Sequence, residues 1–208
     1  MICSSMLRHR RCLVLGLLAG LGGCAVPERA AGPTLYDFGV SRSAATQAPA
    51  RPTAAHLPAL ALTLQASSAL DATVIHYRLG YADDQQLRAY TLARWTMPPG
   101  ELVQQRVREG LSRHYTVLRP GEGAQRLLQL ELEEFSQVFE TPAQSSGLVR
   151  WRATLRQRQA TGERLLAQRS FVVQRPAPSA DAAGGVRALG AAVDAAVTEL
   201  VQWLAQTH

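Results

Sequence analysis

The 208-residue chain carries 22 basic and 16 acidic side chains, a net charge of +6, and every Lys/Arg-type cation in it is arginine. That length supports one domain with a real core, and 47% apolar content excludes a disordered chain. So mild a positive balance does not make a nucleic-acid binder.

The chain opens on Arg8, His9, Arg10 and Arg11, an apolar run from Cys12 to Leu21, and then Leu21-Gly22-Gly23-Cys24. A positive start, an apolar stretch and small residues are the order of a secretory signal. The run is too short to cross a hydrocarbon core of about 30 Å as a helix. The small pair before Cys24 resembles the bacterial lipobox. In such signals the cysteine sulfur carries a diacylglycerol, the chain is cut before it, and the new amine takes an N-acyl chain such as palmitate. Residues 1–23 are then the signal peptide, Cys24 is the lipid-attachment residue, and 24–33 is a tether. An ordinary signal peptide with an incidental cysteine, or an uncleaved anchor, is the alternative; charge order, length and small residues favour the lipoprotein. Met6 would serve as a tighter start than Met1.

Cleavage removes Cys3 and Cys12 with the signal, so no disulfide, thiol nucleophile or cysteine metal site is expected. It also removes Arg8, Arg10 and Arg11 and no acid, which lowers the balance to about +3. The residue after Cys24 is Ala25, not aspartate. In Gram-negative lipoproteins that choice points to the outer membrane, facing the periplasm. No second long apolar segment is read downstream, so no membrane-spanning helix is expected.

Leu35 to Phe38 reads as a short strand and Ser41 to Pro58 as a long loop. Leu60 to Leu64 alternates as a strand, and Thr73–Arg78 and Leu87–Trp95 as a hairpin around a polar turn, Tyr81 to Gln86. Pro98-Pro99 opens a helix, with Leu102, Val103, Val107 and Leu111 on one side. Tyr115–Leu118 is a short strand. Leu127 to Phe139 is the clearest strand, with a bulge expected at Glu133-Glu134. Thr141 to Gly147 reads as a loop. Leu148–Gln159 and Arg164–Gln174 complete a meander, the latter with Leu165, Ala167, Phe171 and Val173 grouped as its apolar set. Pro176 to Gly185 reads as a linker before a last helix whose stripe is Val186, Leu189, Val193, Val197, Leu200 and Leu204, with Trp203 at its edge. One-faced helices must cover a sheet, and long hairpins argue against an all-parallel one. The fold class is α/β, α+β-like, with a mixed, largely antiparallel sheet.

Laid out this way, the chain resembles the ABC-type transport auxiliary lipoprotein family, the PqiC-like lipoproteins. The resemblance rests on the lipobox at Cys24, the Leu35-Tyr36 strand, the run from Ile75 and Tyr77 through Leu87 and Tyr90 to Arg94-Trp95, and the Pro98-Pro99 helix start. It ends on Phe171, a Pro/Ala spacer and a helix closing on Trp203-Leu204. It implies a single domain over 34–208 like anticodon-binding and TolB N-terminal domains. It also implies an MCE-domain partner with its ABC transporter, lipid transport between the two membranes, and a homo-oligomeric ring as a candidate assembly. The long Ser41–Pro58 loop and Arg94-Trp95-Thr96-Met97 depart mildly from the family pattern.

Arg78, Tyr90, Arg94 and Trp95 are the candidate partner-binding residues. An exposed Trp-Arg pair suits an interface, whereas an inward Trp95 would cap the core, the commoner fate of a lone tryptophan. Arg150, Arg152, Arg156 and Arg158 form a basic stripe. It could meet acidic headgroups or an acidic partner, but cross-strand pairing with Glu131, Glu133 and Glu134 is the favoured reading. His56, His76 and His114 lack metal-ligand spacing. Ser145-Ser146-Gly147 reads as turn chemistry. A hydrolase built on Glu131, Glu133 and Ser146 is the outside alternative. No nucleophile, base and orienter come together, so the expectation is no enzyme and no cofactor beyond the acyl groups on Cys24.

Overall fold

A computed structural model of the protein describes residues 32–40 and 57–207. The signal, Cys24, most of the tether and all but the end of the Ser41–Pro58 loop lie outside the described residues. Residues 33–208 make one compact unit. Its strands are β1 (Thr34–Tyr36), β2 (Ala59–Ala66), β3 (Val74–Leu79), β4 (Asp83–Trp95), β5 (Thr116–Leu118), β6 (Arg126–Thr141), β7 (Gln144–Gln159) and β8 (Gly162–Pro176). Two α-helices, α1 (Pro99–Leu111) and α2 (Ala182–Gln206), and a 3-10 turn at Ser68–Leu70 complete it.

Strand β6 is the axis of the sheet. One of its edges pairs antiparallel with β7 along its length, and β7 pairs antiparallel with β8. The other edge is shared. Leu60–Ala66 of β2 runs parallel to Arg126–Leu132, and Tyr77–Leu79 of β3 runs parallel to Gln137–Phe139. β2 then carries β5, while β3 carries β4 and β4 carries β1. The chain leaves the edge of β6 between these two pairings. Its last tie is the Ser67 N–H donating to the Leu132 carbonyl at 3.0 Å. There β6 shifts register between Leu132 and Glu134, the bulge expected at Glu133-Glu134. The long ladders are antiparallel, so the sheet is mixed and mostly antiparallel.

Both helices cover the sheet. Pro99 at the start of α1 lacks an N–H where none is needed. Leu102, Val103, Val107 and Leu111 of α1 are buried, as is the whole expected stripe of α2. Trp203 is buried too, edge-on to Phe171 at 5.9 Å. α2 lies close on β7: a Cβ on Gly147 would meet the Leu189 backbone nitrogen at 2.5 Å. By length and composition alone α2 could cross a membrane, contrary to the expectation of no second long apolar segment. Its apolar stripe instead packs on β6, β7 and β8.

Four local readings are corrected. Thr141–Gly147 is not a loop, because the Thr141 hydroxyl accepts from the Ala143 and Gln144 N–H groups and closes a tight turn. Ser145, Ser146 and Gly147 consequently lie within β7. Leu165 faces out, because a register shift between Leu155 and Arg156 pairs it with outward Arg156. The linker before α2 is shorter than expected: Asp181 is the N-cap, its carboxylate accepting from the Gly184 N–H at 2.7 Å.

Candidate functional site

The hairpin residues singled out in the sequence do not form one cluster. Trp95 is 1% exposed and packs at 5.6 Å from both Phe38 and Phe135. As a partner-binding residue it is therefore corrected: it is core. Arg94 faces the other side of β4, its Nη1 donating to the Ala93 carbonyl at 2.8 Å and to the Tyr90 carbonyl. Arg78 is an internal brace. It pairs with Glu134 at 3.0 Å and donates to the Asp84 and Gln85 carbonyls at 3.2 and 3.3 Å.

Tyr90 points toward α2. Its hydroxyl donates to Gln137 Oε1 at 2.9 Å, and Gln137 Nε2 donates to Ser145 Oγ at 2.7 Å. α2 closes over this chain at Gly185, where a Cβ would meet Gln137 Oε1 at 2.1 Å. Burial, then Tyr77 and Asp181, push the Tyr90 phenol up to about 12. Tyr90 and Arg94 face opposite sides because β4 shifts register against β3 between the Val74 and His76 pairs, which flips its alternation midway.

The arginine stripe pairs across strands. Glu133 takes Arg150 at 3.2 Å and Arg152 at 2.9 Å, both arginines half-exposed. Arg156 instead donates to Gln129 at 2.8 Å, and Glu131 accepts from Gln129 at 3.3 Å. The hydrolase set is not assembled. Ser146 lies opposite Val138, five residues along β6 from Glu133, a strand distance of roughly 17 Å. Its hydroxyl donates to Glu140, and Gln174 donates to both. His76 sits on β3, where burial lowers its pKa against the raising effect of Glu134. His114 is exposed beyond α1, and His56 lies outside the described residues. Among the described residues no group of three or more His, Cys, Asp or Glu side chains could hold a metal.

The feature missed in the sequence is Arg106. It is 6% exposed on α1, between Val103 and Val107 on the buried side of the helix. Its Nη2 donates to the Phe38 carbonyl at 2.8 Å and the Gly39 carbonyl at 3.2 Å. Its Nε lies 3.5 Å from Asp194 on α2, its Nη1 3.7 Å from Glu109, and its guanidinium 5.8 Å from the Phe38 ring centre. Burial raises the Asp194 pKa, and Arg106 opposes that rise. The two carbonyls belong to the segment just after β1, where Gly39 adopts φ +61° and its N–H donates to Asp37 at 2.7 Å. Here the segment that follows β1 is fixed between β4, α1 and α2, with a groove of about 620 Å³ running between it and α2. Two opposite charges, each interrupting an apolar helix stripe, were the available signal.

A family model described as the ABC-type transport auxiliary lipoprotein component matches residues 36–201. Among curated proteins nothing matches the chain in sequence. Protein XCC0632 from Xanthomonas campestris is similar in fold, with a TM-score of 0.61 at 21% identity, covering 71% of this chain and 83% of its own. An uncharacterized protein of known crystal structure aligns with a TM-score of 0.62 at 12% identity over 84% of this chain and 99% of its own. Identities this low speak to the fold, and the sheet with its two covering helices is common ground. The match from Tyr36 through α2 makes this chain a member of the ABC-type transport auxiliary lipoprotein family.

Proposed function

We propose that the protein is a lipid-anchored docking subunit of an envelope ABC transport system. Cys24, acylated, holds it in the inner leaflet of the outer membrane. The folded domain faces the periplasm and binds an MCE-domain partner, alone or as a homo-oligomeric ring, so that lipid passes between the two membranes. The observation that carries this reading is the family match over 36–201 downstream of Leu21-Gly22-Gly23-Cys24. The Arg106 junction suits it, because an anchored domain must resist a pull where its tether enters. The work is docking rather than catalysis, and ATP is hydrolysed by another subunit.

The test is in-cell crosslinking of the tagged protein and mass spectrometry of what is captured, with Cys24→Ser as the untethered control. Capture of an MCE-domain protein, weakened in the control, supports the reading. Capture of a different envelope complex would make this an adaptor of another machine and overturn the lipid-transport assignment.

A further inference from the structure

Among the described residues, seven large apolar side chains are exposed, and five lie on or beside the lobe formed by β1, β3 and β4: Leu35, Val40, Tyr81, Leu87 and Leu92. Leu35 and Leu92 are 63% and 70% exposed. They are neighbours on one face. Leu35 pairs with Arg94, and Leu92 is two residues from Arg94 on the same side of β4, opposite buried Ala93 and Trp95. The other two exposed apolar residues, Leu165 and Val172, lie on β8 at the far edge of the sheet. Five strand spacings separate β1 from β8, about 24 Å.

The lobe is also where the chain arrives from Cys24. Eleven residue steps run from Cys24 to Leu35, and fully extended they reach at most about 40 Å. On the anchored reading above, Leu35 is never farther than that from lipid. A short linker holds its two ends at an effective concentration in the mM range. A contact too weak to bind free protein to a membrane is then occupied most of the time. Two leucines are a contact of that strength. Arg94 shares their face, and a guanidinium suits headgroup phosphates. The hairpin acids Asp83 and Asp84 lie at the opposite end of β4, about 30 Å along the strand from Leu92. They do not stand between the leucines and an anionic surface.

We infer that the Leu35–Leu92 face is a membrane seat: the domain lies with the outer side of β1 and β4 on the phospholipid surface, and the β8 edge is turned away from it. This rests on the acylation of Cys24. It fixes which side of the domain a transport partner can approach.

The test uses the full lipidated protein in vesicles of phosphatidylethanolamine and phosphatidylglycerol. With Cys24 in thioether linkage, Leu92→Cys or Leu35→Cys supplies the single reactive thiol of the mature chain, which is labelled with an environment-sensitive fluorophore. Mass spectrometry of the N-terminal peptide first establishes the acyl groups. The expected result is a blue-shifted emission, quenched by nitroxide-labelled lipid, at positions 35 and 92, and an aqueous spectrum for Val172→Cys. Aqueous spectra at 35 and 92 on acylated protein would overturn the seat while leaving the anchor intact. Protection that arises only on adding the transport partner would overturn it too, assigning the face to protein. Absence of acyl groups on Cys24 would overturn the anchor reading and the seat with it.

Discussion

Replacing Arg106 by alanine tests the clamp on the segment that follows β1. One Nη2 serves both the Phe38 and Gly39 carbonyls. The two bonds therefore count as one charge-assisted contact, about 1.5–3 kcal/mol. Asp194 and Glu109 are half-exposed partners at 3.5 and 3.7 Å, so together they add no more than about 1 kcal/mol. Loss of the packed stem adds roughly another 1 kcal/mol. The expected destabilisation is about 2.5–5 kcal/mol for Arg106→Ala. For Arg106→Lys, which keeps stem and charge but not the planar fork, it is about 1–2 kcal/mol. Urea unfolding of the mature chain carrying Cys24→Ser gives both numbers, and limited proteolysis should show early cleavage within residues 34–40 of the alanine variant. An alanine variant within about 0.5 kcal/mol of its parent, the range of ordinary surface changes, would refute the clamp.

Gly147→Ala should cost roughly 2–3 kcal/mol by the same unfolding assay, because the new Cβ meets the α2 backbone at Leu189 N rather than a side chain that can rotate away. Glu133→Gln removes the one carboxylate that Arg150 and Arg152 share. With arginines so exposed, the loss should stay below about 1 kcal/mol and shrink with added salt; a larger, salt-insensitive loss would show that the stripe is more than a solvated face. The Tyr90 phenol is raised above its unfolded value of 10.0 to about 12. Its stabilising contribution is thus fully present below pH 10 and disappears as pH climbs from there to about 12. Ultraviolet titration should show a late-ionising tyrosine absent from Tyr90→Phe, and the alkaline fall in stability should be shallower in that variant.

What the sequence disclosed follows from periodicity. In β6 the alternation of Leu128, Leu130 and Leu132 and its slip at Glu133-Glu134 were plain, as were the stripes of α1 and α2. A residue whose orientation depends on a register shift elsewhere was not legible. Tyr90 and Arg94, four residues apart, divide between the helix side and the outer face because β4 shifts against β3, and Leu165 turns out because β8 shifts against β7. Ser145-Ser146-Gly147 looked like a turn because small polar residues usually are. Within β7 they are needed small, since Gln137 bonds Ser145 and α2 crosses at Gly147. Arg106 escaped notice because its closest partners are backbone carbonyls, which leave no trace in side-chain patterns, so that only its charge within the α1 stripe marked it. The division of β6's edge between β2 and β3 was likewise hidden, since parallel pairing over some sixty residues of chain has no local signature.

That shared edge has a consequence for how the chain folds. Synthesis delivers the N-terminal half first, and β2 and β3 then have no β6 to lie against. Their partners, Arg126–Leu132 and Gln137–Phe139, emerge some sixty residues later. The β3–β4 hairpin, α1 and the short β1–β4 and β2–β5 pairings can form on the way. The closing of β6 between its two earlier neighbours is a late, long-range event that completes both halves of the sheet at once. Slow folding and exposure of Leu60, Leu62 and Ile75 in that interval are its expected cost, and a chaperone that shields unpaired strands would have its largest effect on yield there.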